Sequence, residues 1–74
     1  MKIKANDYSD GEILKIIREW NHLTQEDLAK KIGKNKRTIY DYETELYTYN
    51  MKTLRKIAKE LDLEIIIQKK KWQK

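Results

Sequence analysis

Apolar positions along the chain fall into four clusters at helical spacing and a fifth at strand spacing. Ile13, Ile16, Ile17 and Trp20 recur at i, i+3, i+4 and i+7, the signature of one apolar helix face. Ser9 stands three residues before Glu12, a capping-box spacing in which hydroxyl and carboxylate each satisfy an orphan N–H of the first turn. Together they predict a first helix over residues 10–21. Thr24 and Asp27 repeat the spacing, Leu28, Ala29 and Ile32 supply an apolar side, and Gly33 follows. A second helix of about two turns is therefore expected to stop at a glycine able to turn left-handed. Asn35 caps a third helix with Ile39 and Tyr42 inward, which leaves Lys36, Arg37, Tyr40 and Asp41 pointing elsewhere. Asn50 caps a fourth helix that carries Met51, Leu54, Ile57, Ala58 and Leu61.

Residues 44–49 lack a period and read as a loop. Beyond residue 62 the character changes: Leu63, Ile65 and Ile67 alternate, and Ile66 completes three consecutive isoleucines, a β-branched run that favours a strand over residues 63–68. A lone strand leaves its backbone unpaired, so this one needs a neighbour. The favoured neighbour is the same segment of a second copy, antiparallel across a two-fold axis; the other is residues 1–4, within which a short extended piece is expected at residues 2–4. A competing reading continues the fourth helix through Leu61, Ile65 and Gln68. The predicted fold class is all-α: a compact four-helix bundle with a short C-terminal β-strand. It divides into an arm (1–8), a helical domain (9–62), and a strand with a basic tail (63–74).

Composition narrows the function. Seventy-four residues allow one small domain that buries only about 60% of its unfolded surface, which excludes a deep cleft between domains. The absence of cysteine removes disulfides and thiolate metal sites and suggests a cytoplasmic protein. The longest apolar run, residues 63–67, is broken by Glu64 and falls far short of the roughly 20 residues of a membrane span. No apolar signal segment opens the chain, so no membrane partner is expected. His22 is the one histidine, without clustered carboxylates around it, and reads as a surface residue. With no Gly-rich phosphate loop, the expectation is no catalytic residue, no metal, no cofactor and no enzyme activity.

Charge points to a partner. Residues 1–29 hold four Lys or Arg against six Asp or Glu, whereas residues 30–74 hold thirteen against six. Positive potential therefore concentrates on the later part of the chain, as suits a protein that meets a polyanion. Lys30 and Lys31, the outer face of the fourth helix (Lys52, Arg55, Lys56, Lys59) and residues 69–71 are equally consistent with solvated charge. Trp20 completes the first helix's core face, while Trp72, in a lysine tail, has no such stripe to join and is expected either to cover a groove between two copies or to be disordered.

Two short helices joined by a tight glycine turn, with small Ala29 at their contact and Leu28, Ile32, Ile39 and Tyr42 closing a wedge of core, hold the third helix outward. The run Leu23-Thr24-Gln25-Glu26-Asp27-Leu28-Ala29-Lys30-Lys31-Ile32-Gly33, with Thr38-Ile39 and Glu43 beyond it, resembles the helix-turn-helix of the phage repressor and Cro (XRE) family, over about residues 12–62. The resemblance implies a dimer that places its third helix in the major groove of a double-stranded DNA operator. It assigns Asn35, Lys36, Arg37, Tyr40 and Asp41 to base edges, and Gln25, Lys34, Thr38, Tyr47 and Tyr49 to phosphates. Arg18 and Glu43 match a pair that links the first helix to the end of the third, structural like Ala29 and Gly33. The chemistry is compatible: Arg37 or Lys36 donating to guanine O6 and N7, Asp41 accepting from a cytosine amino group, Tyr40 packing on a thymine methyl.

Three departures stand out. Lys34 occupies a position that is usually a buried aliphatic, so its ammonium must reach solvent or a phosphate. The loop after Glu43 lacks the Gly, basic residue and Pro common in relatives, and Glu45 there would repel phosphates. A fifth helix is missing, and the strand in its place is nearer the antitoxin branch of the family. The expected function is a sequence-specific, dimeric transcriptional regulator, a repressor in sense. The alternative is an antitoxin-type module that neutralises a partner toxin, with DNA binding secondary.

Overall fold

The computed structural model describes residues 1–70; Trp72 and the end of the basic tail lie outside the described residues. A 3-10 turn at Ala5–Asp7 leads into four helices: α1 (Asp10–Trp20), α2 (Gln25–Lys31), α3 (Lys36–Glu43) and α4 (Met51–Leu61). Each α-helix starts where a short polar side chain takes up an orphan N–H. Ser9 Oγ accepts from Glu12 N at 3.3 Å while Ser9 N donates to Glu12 Oε1 at 2.9 Å, and Thr24 and Asp27 repeat the exchange. The Thr24 hydrogen bonds hold the Asp27 carboxyl below its ordinary range. Asn35 Oδ1 accepts from Thr38 N and Asn50 Oδ1 from Thr53 N, each at 2.9 Å. Such caps are each worth about 1 kcal/mol, which matters for helices of two or three turns.

The core joins Leu14 and Ile17 of α1, Leu28 and Ala29 of α2, Ile32, Ile39 of α3 and Ile57 of α4. On α1 the expected stripe is displaced: Leu14 is fully buried, whereas Ile13, Ile16 and Trp20 are only partly so. Leu14 shares one buried cluster with residues of α2, α3 and α4, and the apolar face of α1 is wider than an i, i+3, i+4 ladder and centres one residue further on. α3 packs against both α1 and α2. Ala29, buried, lets α2 and α3 cross closely, and Gly33 takes φ +71° in the turn, after which Lys34 N donates to Ala29 O at 2.8 Å.

The C-terminal strand is not formed. Among the described residues there is no strand, and residues 63–70 run without regular structure. Nor does α4 continue: Asp62 turns left-handed at φ 57° and Leu63 N closes back on Ala58 O at 2.8 Å. Residues 1–4 form no ladder with this segment either. The physical reason is the one that made the strand conditional: a strand exists only by pairing, and one chain supplies no partner edge. Leu63 packs against the core, while Ile66 and Ile67 stand exposed.

A close approach that sequence reading did not single out fixes the start of α1 to the end of α3. Gly11 is buried, and a Cβ built there would run into the Glu43 carbonyl oxygen and the Glu45 side chain. Gly11 N donates to Glu45 Oε2 at 3.2 Å, so Glu45 places its charge at the amino end of α1, where the helix dipole favours it.

Candidate nucleic-acid interface

α3 is held on one side and open on the other. Its inner side carries Ile39, fully buried, and Tyr42, which packs edge to face on Tyr49 with ring centroids 5.7 Å apart. Its C-terminal end is tied to α1 by a two-point pair: Arg18 Nε donates to Glu43 Oε2 at 2.7 Å and Arg18 Nη2 to Glu43 Oε1 at 3.1 Å. Arg18 Nη1 donates to Leu23 O at 2.8 Å, and Gln25 Nε2 adds a third donor to Glu43 at 3.3 Å. The hydrogen bond to Glu43 raises the Arg18 pKa against the opposing cost of burial. A planar fork on a carboxylate fixes direction as well as distance, so this pair sets the angle at which α3 leaves the core.

The outer side presents Lys36, Arg37 and Tyr40, all exposed, with Asn35 at the helix start. Lys36, Arg37, Tyr40 and Gln25 together line one shallow hollow. Arg37 lies over the Tyr40 ring, its guanidinium carbon 5.6 Å from the centroid, and its Nε donates to Asp41 Oδ1 at 3.0 Å. Asp41 is therefore not the open acceptor expected of a base reader. It is 8% exposed, because residue 41 falls on the edge of α3 that turns toward the core, and its carboxylate already accepts from Arg37.

Of the residues expected at phosphates, Lys34 and Tyr47 are exposed. Thr38 is half-buried, its hydroxyl donating to Asn35 Oδ1 at 3.0 Å, and Gln25 is engaged by Glu43. Tyr49 departs from expectation: its hydroxyl donates to Asp10 O at 2.7 Å. Burial, then the nearby Asp10 and Glu45 carboxylates, push its pKa from 10.0 up to about 12. The folded chain thus favours the neutral phenol, a stabilisation present below the ordinary value and lost as pH rises from 10.0 toward about 12. One tyrosine should ionise late in an alkaline spectrophotometric titration, and Tyr49→Phe should abolish that late step while making thermal stability less sensitive to pH in that window. Gly11 and Glu45 are the support residues that sequence reading missed; the interruption of an otherwise capped first turn by glycine was the available signal for the first. Among the described residues, no group of three or more His, Cys, Asp or Glu is placed to hold a metal, and no helix is long and apolar enough to cross a membrane.

Comparison with known proteins agrees with this geometry. The family model described as helix-turn-helix matches residues 14–67. An uncharacterised HTH-type transcriptional regulator of Methanocaldococcus jannaschii is 44% identical over 52 residues, which cover 70% of this chain and 79% of that protein. Among solved structures, a chain of the HipA-HipB-O2-O3 complex is similar with a TM-score of 0.65 and 32% identity, covering 96% of this chain and 99% of that one. A chain of the HipB-O4 20mer complex is similar with a TM-score of 0.66, again at 32% identity and covering 96% and 99%.

Proposed function

The chain belongs to the helix-turn-helix family, and we propose that it is a sequence-specific DNA-binding transcriptional regulator, a repressor in sense, that acts in the cytoplasm as a dimer with α3 in the major groove. The observation that carries this reading is the division of α3 into a side locked to the core by Ile39 and the Arg18–Glu43 pair and a side that leaves Lys36, Arg37 and Tyr40 exposed. In this role Arg37 and Lys36 donate to guanine, Tyr40 packs on a thymine methyl, and Asn35 lies at the edge of the read sequence. Lys34, Thr38, Gln25 and Tyr47 face the phosphates, where they add affinity without base preference. The M. jannaschii relative is a transcriptional regulator by name, and the HipB chains are held in complexes with 20mers or with O2 and O3.

The dimer is proposed to form through residues 63–68, each copy supplying the strand edge the other lacks. Ile65, Ile66 and Ile67 are exposed, and Ile65 and Ile67 line a groove with Met51, Arg55, Ala58, Lys59 and Leu63. A second copy buries this apolar edge and satisfies its backbone. Half-sites would then lie about 34 Å apart, one turn of duplex. The similarity to a chain of the HipA-HipB-O2-O3 complex favours, as the second reading, an antitoxin-type chain that also masks a protein partner through the same segment.

Arg37→Ala should weaken binding to the preferred site by about 1–3 kcal/mol and relax one base position, while Lys34→Ala should weaken all duplexes alike and flatten the salt dependence by about one unit of slope. Titrations of labelled duplexes at several salt concentrations check both. Unchanged binding in both variants would remove the assignment of this face. Sedimentation equilibrium of the whole chain should give a dimer, and truncation after Asp62 a monomer that keeps its helical signal.

A further inference from the structure

We propose that Asp41 is a positioning residue that holds the Arg37 guanidinium in the one orientation suited to reading guanine, so that base preference at that position depends on a side chain that does not itself touch DNA. This rests on the assignment of α3 as the reading helix. Asp41 sits one turn after Arg37, and its side chain is 12% exposed, whereas that of Arg37 is 73% exposed. The bond between them, Nε to Oδ1 at 3.0 Å, occupies the one donor on the stem side of the guanidinium. The four N–H groups of the two terminal nitrogens remain, and two of these parallel donors are what guanine O6 and N7 accept. The Tyr40 ring, 5.6 Å from the guanidinium carbon, limits the swing of the same group from another direction. An arginine on an exposed helix face otherwise samples many rotamers, and ordering it on binding costs affinity. Here that ordering precedes binding.

The sign of the electrostatics separates this role from plain support. A carboxylate on a DNA-facing helix repels phosphates, so removing its charge should leave nonspecific attraction equal or greater while specific reading declines. A residue that merely supported the fold would reduce both together.

The test is a selection of bound duplexes from a random pool by the whole chain, its Asp41→Asn variant, Arg37→Ala and the double variant, with affinity for an unrelated duplex measured alongside. The wild-type chain should select a site with a strong guanine position in each half. Asp41→Asn should keep the other positions and the affinity for unrelated duplex, while its guanine preference drops on the order of tenfold. Arg37→Ala should lose that preference, and adding Asp41→Asn should then change nothing more. No selected sequence from the wild-type chain would overturn the regulator assignment and this proposal with it. A selected sequence whose guanine position survives Asp41→Asn, or whose positions all flatten together, would overturn the proposal alone. A measurement on the unmodified chain gives a second check whatever the variant does to folding. The Arg37 Nε–H should exchange with water at least several-fold more slowly than that of an unpaired surface arginine, and equal exchange would rule the proposal out.

Discussion

Arg18→Met is expected to lower the stability of the fold by about 3–5 kcal/mol. Glu43, whose side chain is 6% exposed beside Arg18, then keeps only Gln25 as a side-chain donor, a buried carboxylate without its counter-charge. Breaking such a pair costs about 3–5 kcal/mol, against a total of about 4–11 kcal/mol for a chain of this size. The loss is local in cause and global in effect, because the same guanidinium bonds Leu23 O between α1 and α2. Thermal unfolding should shift down by about 4–8 °C for each kcal/mol lost. Replacing both residues with apolar ones of similar volume should recover much of the stability, since a hydrophobic substitute for a buried ion pair is often neutral or better. A melting curve for Arg18→Met within two or three degrees of wild type would mean that the pair contributes little.

Ile39→Ala is the second large effect, expected at about 2–5 kcal/mol. Ile39 is fully buried and meets residues of α1, α2 and α4 in one cluster. Truncation leaves a cavity that these short helices, pinned at their caps and turns, are poorly placed to fill. Urea unfolding should show a lower midpoint with an unchanged slope. The functional consequence differs in kind from that of Arg37→Ala. Where the variant is folded, α3 still offers the same outer side chains, so base preference should persist while apparent affinity scales with the folded fraction. A changed preference in Ile39→Ala would mean that core packing tunes the angle of α3 directly.

Much of this architecture was legible in the residues themselves. The capping pairs at Ser9 and Thr24, the asparagines at 35 and 50, and Gly33 mark helix starts and a turn through chemistry between residues at most a few positions apart. Local chemistry of that sort survives in a string of letters. What was not legible depended on three-dimensional proximity between distant segments. Leu14 displaces its neighbours as the centre of the α1 face only in the folded chain, where it joins a cluster with residues of α2, α3 and α4. Gly11 and Glu45 are 34 positions apart, and nothing in the spacing relates them. Asp41 lies on a boundary of α3 where a rotation of a few tens of degrees decides between solvent and core, finer than a helical stripe resolves. Residues 63–68 depend on something outside the chain: their β propensity is high, but no single copy can express it.

The two sides of α3 have separate duties, and this bears on how such a protein changes its target. Lys36, Arg37 and Tyr40 make no contribution to the buried cluster, so evolution or an engineer can vary them at little cost to folding. Retargeted repertoires randomised at those three positions should consist mainly of intact proteins, whereas repertoires that also vary Glu43, which is paired with Arg18, should be depleted of them. New operator preferences are therefore reached by editing one exposed strip of a helix whose attachment stays the same.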